Sequence, residues 1–240
     1  MVNGESSGRF HYSEFTLHHC ILKAEPPSYS PESIQQAVGI LRAGGVAVFP
    51  TETVYGIGAD IRNASAIERV FFIKGRDYSQ PLMAHCASPV QMLEYVAEVP
   101  NWAQPLISRF WPGPLALIFR ATDKVPPVAI SQGRTIGIRM VGHPVARDLI
   151  EELGAPIAGT SANLHGEPAT SRFVDVSPAV LGQVDVALDS GSCGEDVPST
   201  VLDVTCEPSR VVRVGAVSVQ AIEAVIGRVQ VSPQPPAPNP

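Results

Sequence analysis

A chain of 240 residues, 45% hydrophobic and 17% charged, can bury about 70% of the surface its unfolded form would expose, which excludes a disordered polymer. The net charge of −6 excludes a broadly basic face for nucleic acid, although a basic hollow inside an acidic envelope would suit a small anion. No apolar run reaches bilayer-spanning length, so no membrane segment is expected.

In chain order, residues 1–14 predict a flexible N-terminus, polar and neither a secretory signal nor an Arg-rich transit peptide. FTLHHCILKA (Phe15–Ala24) alternates like a strand. SPESIQQAVGILRAGG predicts a helix with Ser30 as cap, Pro31 in the first turn, an apolar stripe of Ile34, Val38 and Leu41, and Gly44-Gly45 as the stop. VAVFP follows as a short buried strand. The alternation then continues: ASAIERVFFIK helix, PLMAHC strand, NWAQPLISRFW helix, PLALIFRA and TIGIRMV strands, HPVARDLIEEL helix, APIAGTS strand. VDVALD, STVLDV and SRVVRVG predict three more strands and SVQAIEAVIG a last helix. Helices and strands alternate with no linker between them, so residues 15–227 predict one α/β domain, and residues 228–240 a Pro-rich tail with little to bury. Cys20, Cys86, Cys193 and Cys206 lie far apart without CxxC or zinc spacing, which predicts reduced thiols in a cytoplasmic protein and no metal centre.

The usual phosphate and hydrolase motifs are absent; GIGADI has only two glycines of the dinucleotide fingerprint. A catalyst of this composition would gain its rate by holding charged reactants together rather than through a conventional nucleophile. Four loops break the apolar pattern. PTETVYGIGAD offers Thr51, Thr53 and two glycines for close backbone approach to a ligand, or is a plain Gly-rich strand-to-helix turn. KGRDYSQPL places Lys74 and Arg76 around Gly75, a fork and a point charge for phosphate, or two solvated cations. GTSANLHGEPATS puts Ser161 and Asn163 on one side of an extended segment, or forms an Asx turn. Ser199 and Arg213 stand at strand ends. Together these loops could converge where the strands end, in a donor-rich hollow suited to a polyanion.

PTETVYGIGAD, KGRDYSQPL, FWPGPLALIF, TIGIRMVGHPVARDLI, GTSANLHGEPATS, STVLDV and RVGAV resemble, in order and spacing, the YrdC-like family of threonylcarbamoyl-AMP synthases, over about Ser30 to Gly227. The resemblance implies a single α/β YrdC-like domain with a twisted mixed sheet, flanked by helices, around a large concave cavity. It implies a nucleotidyltransferase that makes L-threonylcarbamoyladenylate and pyrophosphate from L-threonine, bicarbonate and ATP. The product would pass to a tRNA threonylcarbamoyl-transferase complex for modification beside the anticodon. The resemblance places Thr53, His85, Arg139, Ser161 and Ser199 around threonine, and Lys74, Arg76, Gln80, Thr135, Asn163, Ser171 and Arg213 along ATP. Lys74, Arg76, Ser161 and Asn163 form the expected catalytic set, with Mg²⁺ carried in on ATP. Two segments depart from the family pattern. ATS replaces the usual hydroxyl-Pro-Thr after GEP, and GEDVP before STV is longer and more acidic. The rival readings are a double-stranded RNA or tRNA-binding module, and another carbamoyl-adenylating enzyme.

Overall fold

Short apolar runs and capped helices build one sheet with helices on both faces. The computed structural model describes residues 20–24, 29–131 and 133–233. The strands are β1 (Cys20–Lys23), β2 (Ala47–Phe49), β3 (Gly56–Asp60), β4 (Met83–Cys86), β5 (Leu115–Arg120) and β6 (Thr135–Met140). They continue with β7 (Ile157–Ser161), β8 (Val186–Asp189), β9 (Thr200–Asp203), β10 (Arg210–Arg213) and β11 (Gln230–Val231). All eleven join in the order β1-β8-β2-β3-β7-β4-β6-β5-β9-β10-β11. The sheet is mixed: β4 runs parallel to β6 but antiparallel to β7, and β5 parallel to β9 but antiparallel to β6.

The helices are α1 (Pro31–Arg42), α2 (Ala64–Lys74), α3 (Pro89–Tyr95), α4 (Gln104–Phe110), α5 (Pro144–Leu153), α6 (Pro178–Leu181) and α7 (Val219–Ile226). Ser30 Oγ accepts from Ser33 N–H at 3.2 Å and starts α1; Asn63 Oδ1 accepts from Ala66 N–H at 3.0 Å and starts α2. Gly75, at φ 60°, closes α2 in the left-handed region and turns the chain between Lys74 and Arg76. The pleat of β2 divides the core. Ala47 and Phe49 pack with α1 and α5, while Val46 and Val48 join the cluster that includes α2 and α4 on the other face.

The structure differs from the expected elements in several places, among them the short helix α6, for which no helix was expected. GIGAD is a strand, not a turn after β2: β3 pairs antiparallel with β2, Phe49 opposite Gly56. Gly58 faces Gly159 of β7, and a Cβ on Gly58 would come 2.5 Å from Ile157 Cγ2 and 2.7 Å from Ala158 O. The glycine there relieves crowding between strands rather than admitting a ligand. Gly58→Ala is therefore expected to lower the unfolding free energy by about 2–3 kcal/mol, read as a fall in the urea midpoint at unchanged slope. Second, residues 89–95 form α3, capped by Ser88, whose Oγ accepts from Gln91 N–H at 3.3 Å. Third, Gln230 and Val231, inside the segment expected to be an unattached tail, pair in parallel with β10. NWAQPLISRFW is helical as expected but opens with a 3-10 turn over Asn101–Ala103. Residues 1–19 and 234–240, where the loose N-terminus, the start of the first strand and the end of the tail were expected, lie outside the described residues. Among the described residues no helix is long and apolar enough to cross a membrane, and all four cysteines are free thiols.

Candidate active site

His85 of β4 and Arg139 of β6 are register partners on neighbouring parallel strands, so their side chains leave the same face of the sheet. They line one cavity with Thr53 from the β2–β3 loop, Ser161 at the end of β7, Ser199 just before β9 and Arg213 at the end of β10. Strand order explains the meeting, because β7, β4, β6, β5, β9 and β10 are consecutive across the sheet. Thr51 shapes the first loop: its Oγ1 donates to Val54 O at 2.6 Å and lies 2.9 Å from Thr53 Oγ1. Arg213 reaches back to Ser199, donating from Nη2 to the carbonyl at 2.9 Å and to Oγ at 3.2 Å. The hollow is about 50 Å³. The cations that line it are folded onto neighbouring groups, Arg213 onto Ser199 O and Arg139 onto the Glu52 carboxylate.

Lys74 meets this cavity through Ser161, and Arg76 follows it on the same turn. Lys74 is buried, and its ammonium donates to Ser161 O at 2.6 Å, to Asn163 Oδ1 at 3.0 Å and to Asn163 O, one acceptor for each proton. It therefore ties the end of α2 to the segment after β7. Arg76 donates from Nε to Gln80 O at 2.8 Å and from Nη2 to Pro81 O at 3.3 Å, within its own loop. Asn163 completes the tie, its Nδ2 donating to Leu164 O at 3.0 Å and Glu167 O at 2.6 Å. Ser161 and Asn163 are thus brought together as expected, but only Ser161 faces the cavity; Asn163 is spent on Lys74 and its own turn.

Burial and mutual repulsion dominate the electrostatics. Burial, aided by the charge of Arg76, pushes the Lys74 pKa down to about 8. Burial first, then the charges of Arg139 and Arg76, lowers that of Arg213 to about 10. The Arg76 and Arg139 pKa values also fall through burial. His85, buried beside Arg139, is lowered to about 3 and is neutral at physiological pH. Arg139 and Arg213 line the same hollow, and Arg76 is near enough for its charge to act on Arg213. The site lowers the charge-holding power of four cations at once, an arrangement relieved by a bound anion.

Of the residues expected along the nucleotide only Arg213 lines this hollow; besides Lys74, Arg76 and Asn163, three more lie outside it. Gln80 is exposed on the loop after α2, and its carbonyl rather than its side chain serves Arg76. Thr135 opens β6 with its Oγ1 2.5 Å from Ser131 Oγ. Ser171 is buried, its carbonyl accepting from Cys193 N–H at 2.9 Å and its N–H taken by Asp196 Oδ1 at 2.5 Å. Two residues were not singled out from sequence. Glu52 pairs with Arg139, and the buried Tyr55 donates to Gly191 O at 3.1 Å and accepts from Ser190 N–H at 2.9 Å, pinning the 190–199 segment over the site. An acidic residue set between two threonines directly after a buried strand was the available signal for Glu52. Among the described residues no group of three or more His, Cys, Asp or Glu side chains could hold a metal ion.

This fold and donor set belong to a known class. The family described as Telomere recombination (Sua5/YciO/YrdC) matches residues 39–215, and the chain belongs to it. The chain is 38% identical over 200 residues to the threonylcarbamoyl-AMP synthase of Pyrococcus abyssi, covering 83% of this chain and 59% of that protein. It is likewise 38% identical over 205 residues to the Bacillus subtilis threonylcarbamoyl-AMP synthase, covering 85% and 59%. The crystal structure of P. abyssi Sua5 complexed with L-threonine superposes with a TM-score of 0.84 at 36% identity, over 89% of this chain and 62% of that one. The chain thus spans about three-fifths of the length of these relatives.

Proposed function

We propose that the chain is a threonylcarbamoyl-AMP synthase, converting L-threonine, bicarbonate and ATP to L-threonylcarbamoyladenylate, pyrophosphate and water. The observation that carries this reading is the convergence of Thr53, His85, Arg139, Ser161, Ser199 and Arg213 on one hollow, with Lys74 and Arg76 beside it. Its support from relatives is that the similar curated proteins bear this name and that one solved relative holds L-threonine.

In this reading Arg139 grips the amino acid's carboxylate, while Thr53, Ser161, Ser199 and the neutral His85 surround its amine and side chain. Lys74, Arg76 and Arg213 offset phosphate charge, and Asn163 acts through Lys74. Gln80, Thr135 and Ser171 reach the nucleotide only if their loops shift toward it. The threonine amine attacks the carbon of bicarbonate, the new N–C bond forming as water is lost, or adds to CO₂ with loss of a proton, to give a carbamate. A carbamate oxygen then attacks the α-phosphorus; the bond to the β-phosphate oxygen breaks and pyrophosphate leaves, its charge stabilised by the three cations. Mg²⁺ fits as a passenger on ATP, since the site supplies cations and hydroxyls rather than a carboxylate cage. The product would then pass, in the cytoplasm, to a tRNA threonylcarbamoyl-transferase complex.

The pH dependence has a definite sign. The first step consumes the unprotonated amine, so turnover rises through the neutral range with a slope of about 1. Lys74 loses its proton as pH passes about 8 and with it the charge that holds phosphate, so the rate turns down above that point. A flat kcat profile under rate-limiting chemistry would contradict this order of events. The reading as a whole is tested by pyrophosphate release. It should require ATP, bicarbonate and L-threonine together; an RNA-binding module releases none, and a different carbamoyl-adenylating enzyme requires carbamoyl phosphate.

A further inference from the structure

The β2–β3 loop brings into the site a carboxylate that the proposed chemistry does not consume. Glu52 Oε1 pairs with Arg139 Nη1, and Oε2 accepts from Gly142 N–H at 2.9 Å. Gly142 immediately precedes His143, the N-cap of α5, which gives its helix no side-chain hydrogen bond. The carboxylate therefore lies where the helix's partial positive charge favours it. Space is fitted to it as well: a Cβ on Gly142 would come 3.3 Å from Glu52 Cγ. With both oxygens engaged, Glu52 is anchored to backbone and does not swing freely.

Arg139 offers two edges. Glu52 occupies Nη1, the nitrogen on the Cδ side. Nε–H belongs to the other edge; it is buried and, among the described residues, has no hydrogen-bond partner, in a residue that lines the cavity. Buried donors are rarely left unmatched in a finished protein, so this one points to a ligand acceptor. We propose that Glu52 is a positioning residue: by fixing Nη1 it presents the Nε edge of Arg139 to the cavity for a side-on, two-point grip on the carboxylate of the amino-acid substrate. The inference rests on the amino-acid subsite of the proposed function. A second role for the same pair, with Glu52 as a placeholder that competes with substrate for Arg139, makes the opposite prediction.

The test is calorimetric titration of L-threonine into the whole chain and into Glu52→Ala and Glu52→Gln, alongside steady-state pyrophosphate release. Glu52→Ala is expected to weaken threonine binding and raise its KM by about 10- to 100-fold, with kcat and the KM for ATP within about threefold. Glu52→Gln keeps the shape and an acceptor for Gly142 N–H, and is expected to recover part of that loss; it carries the test alone if the alanine variant does not fold. Tighter or unchanged threonine binding overturns the proposal, as does a fall in kcat at constant KM. A parent protein that binds threonine but releases no pyrophosphate defeats the proposed function while calorimetry still reads Glu52. One that binds no threonine defeats both.

Discussion

Arg76→Ala is expected to release pyrophosphate at least about 10³-fold more slowly than the parent while folding almost as well. An arginine that meets transferring phosphate typically contributes that much to rate. Its structural contribution is small, because its hydrogen bonds reach only Gln80 O and Pro81 O in the same loop. Losing them costs about 1 kcal/mol, or roughly 2–4 °C in melting temperature for a domain of this size. The checks are single-turnover pyrophosphate release and a thermal melt on one preparation. A variant that unfolds, or that retains more than a tenth of the activity, would reduce Arg76 to a strut for its loop.

Lys74→Met has the opposite balance. Removing the ammonium leaves Ser161 O, Asn163 O and Asn163 Oδ1 without their shared donor, in a place where Lys74 itself is only 2% exposed. Unmatched buried acceptors are costly, although the relief of burying a charge offsets part of it. The expected net loss is about 2 kcal/mol, seen as a melting temperature lower by roughly 4–8 °C, with turnover down at least about 10²-fold. An inactive variant of full stability would mean that Lys74 serves the nucleotide alone and does not tie α2 to the segment after β7.

Much of the fold was legible because local chemistry agreed with it. Ser30-Pro31 announces α1, and apolar runs such as LALIF and VALD have no stable place except a buried strand. Gly56–Asp60 was not legible as a strand, since glycine disfavours strands and is required here by crowding, of Gly56 against Phe49 and of Gly58 against Ile157. Helix α3 has seven residues and no glycine stop, too short for a periodic signal, and β11 is a two-residue edge in a proline-rich stretch. In the site, the hydroxyls and loop cations broke the apolar pattern visibly. His85 and Arg139 sit inside strands that otherwise read as core, so only the family resemblance drew attention to them. The Glu52–Arg139 pair joins residues 87 apart in sequence, a distance over which no local pattern speaks. Thr135, Gln80 and Ser171 are implied by the family resemblance alone, and the Thr135 hydroxyl, the Gln80 carbonyl and the Ser171 N–H are engaged with Ser131, Arg76 and Asp196.

The sheet order has one more consequence. Thr53 stands in the first quarter of the sequence and Arg213 in the last, yet both face one hollow through strands that are far apart along the chain. Any molecule held by both acts as a noncovalent cross-link across some 160 residues, removing freedom that the unfolded polymer would otherwise regain, much as a long-range staple does. Occupancy and cohesion of the whole sheet are therefore one equilibrium, and a filled pocket strengthens strands that never touch what fills it.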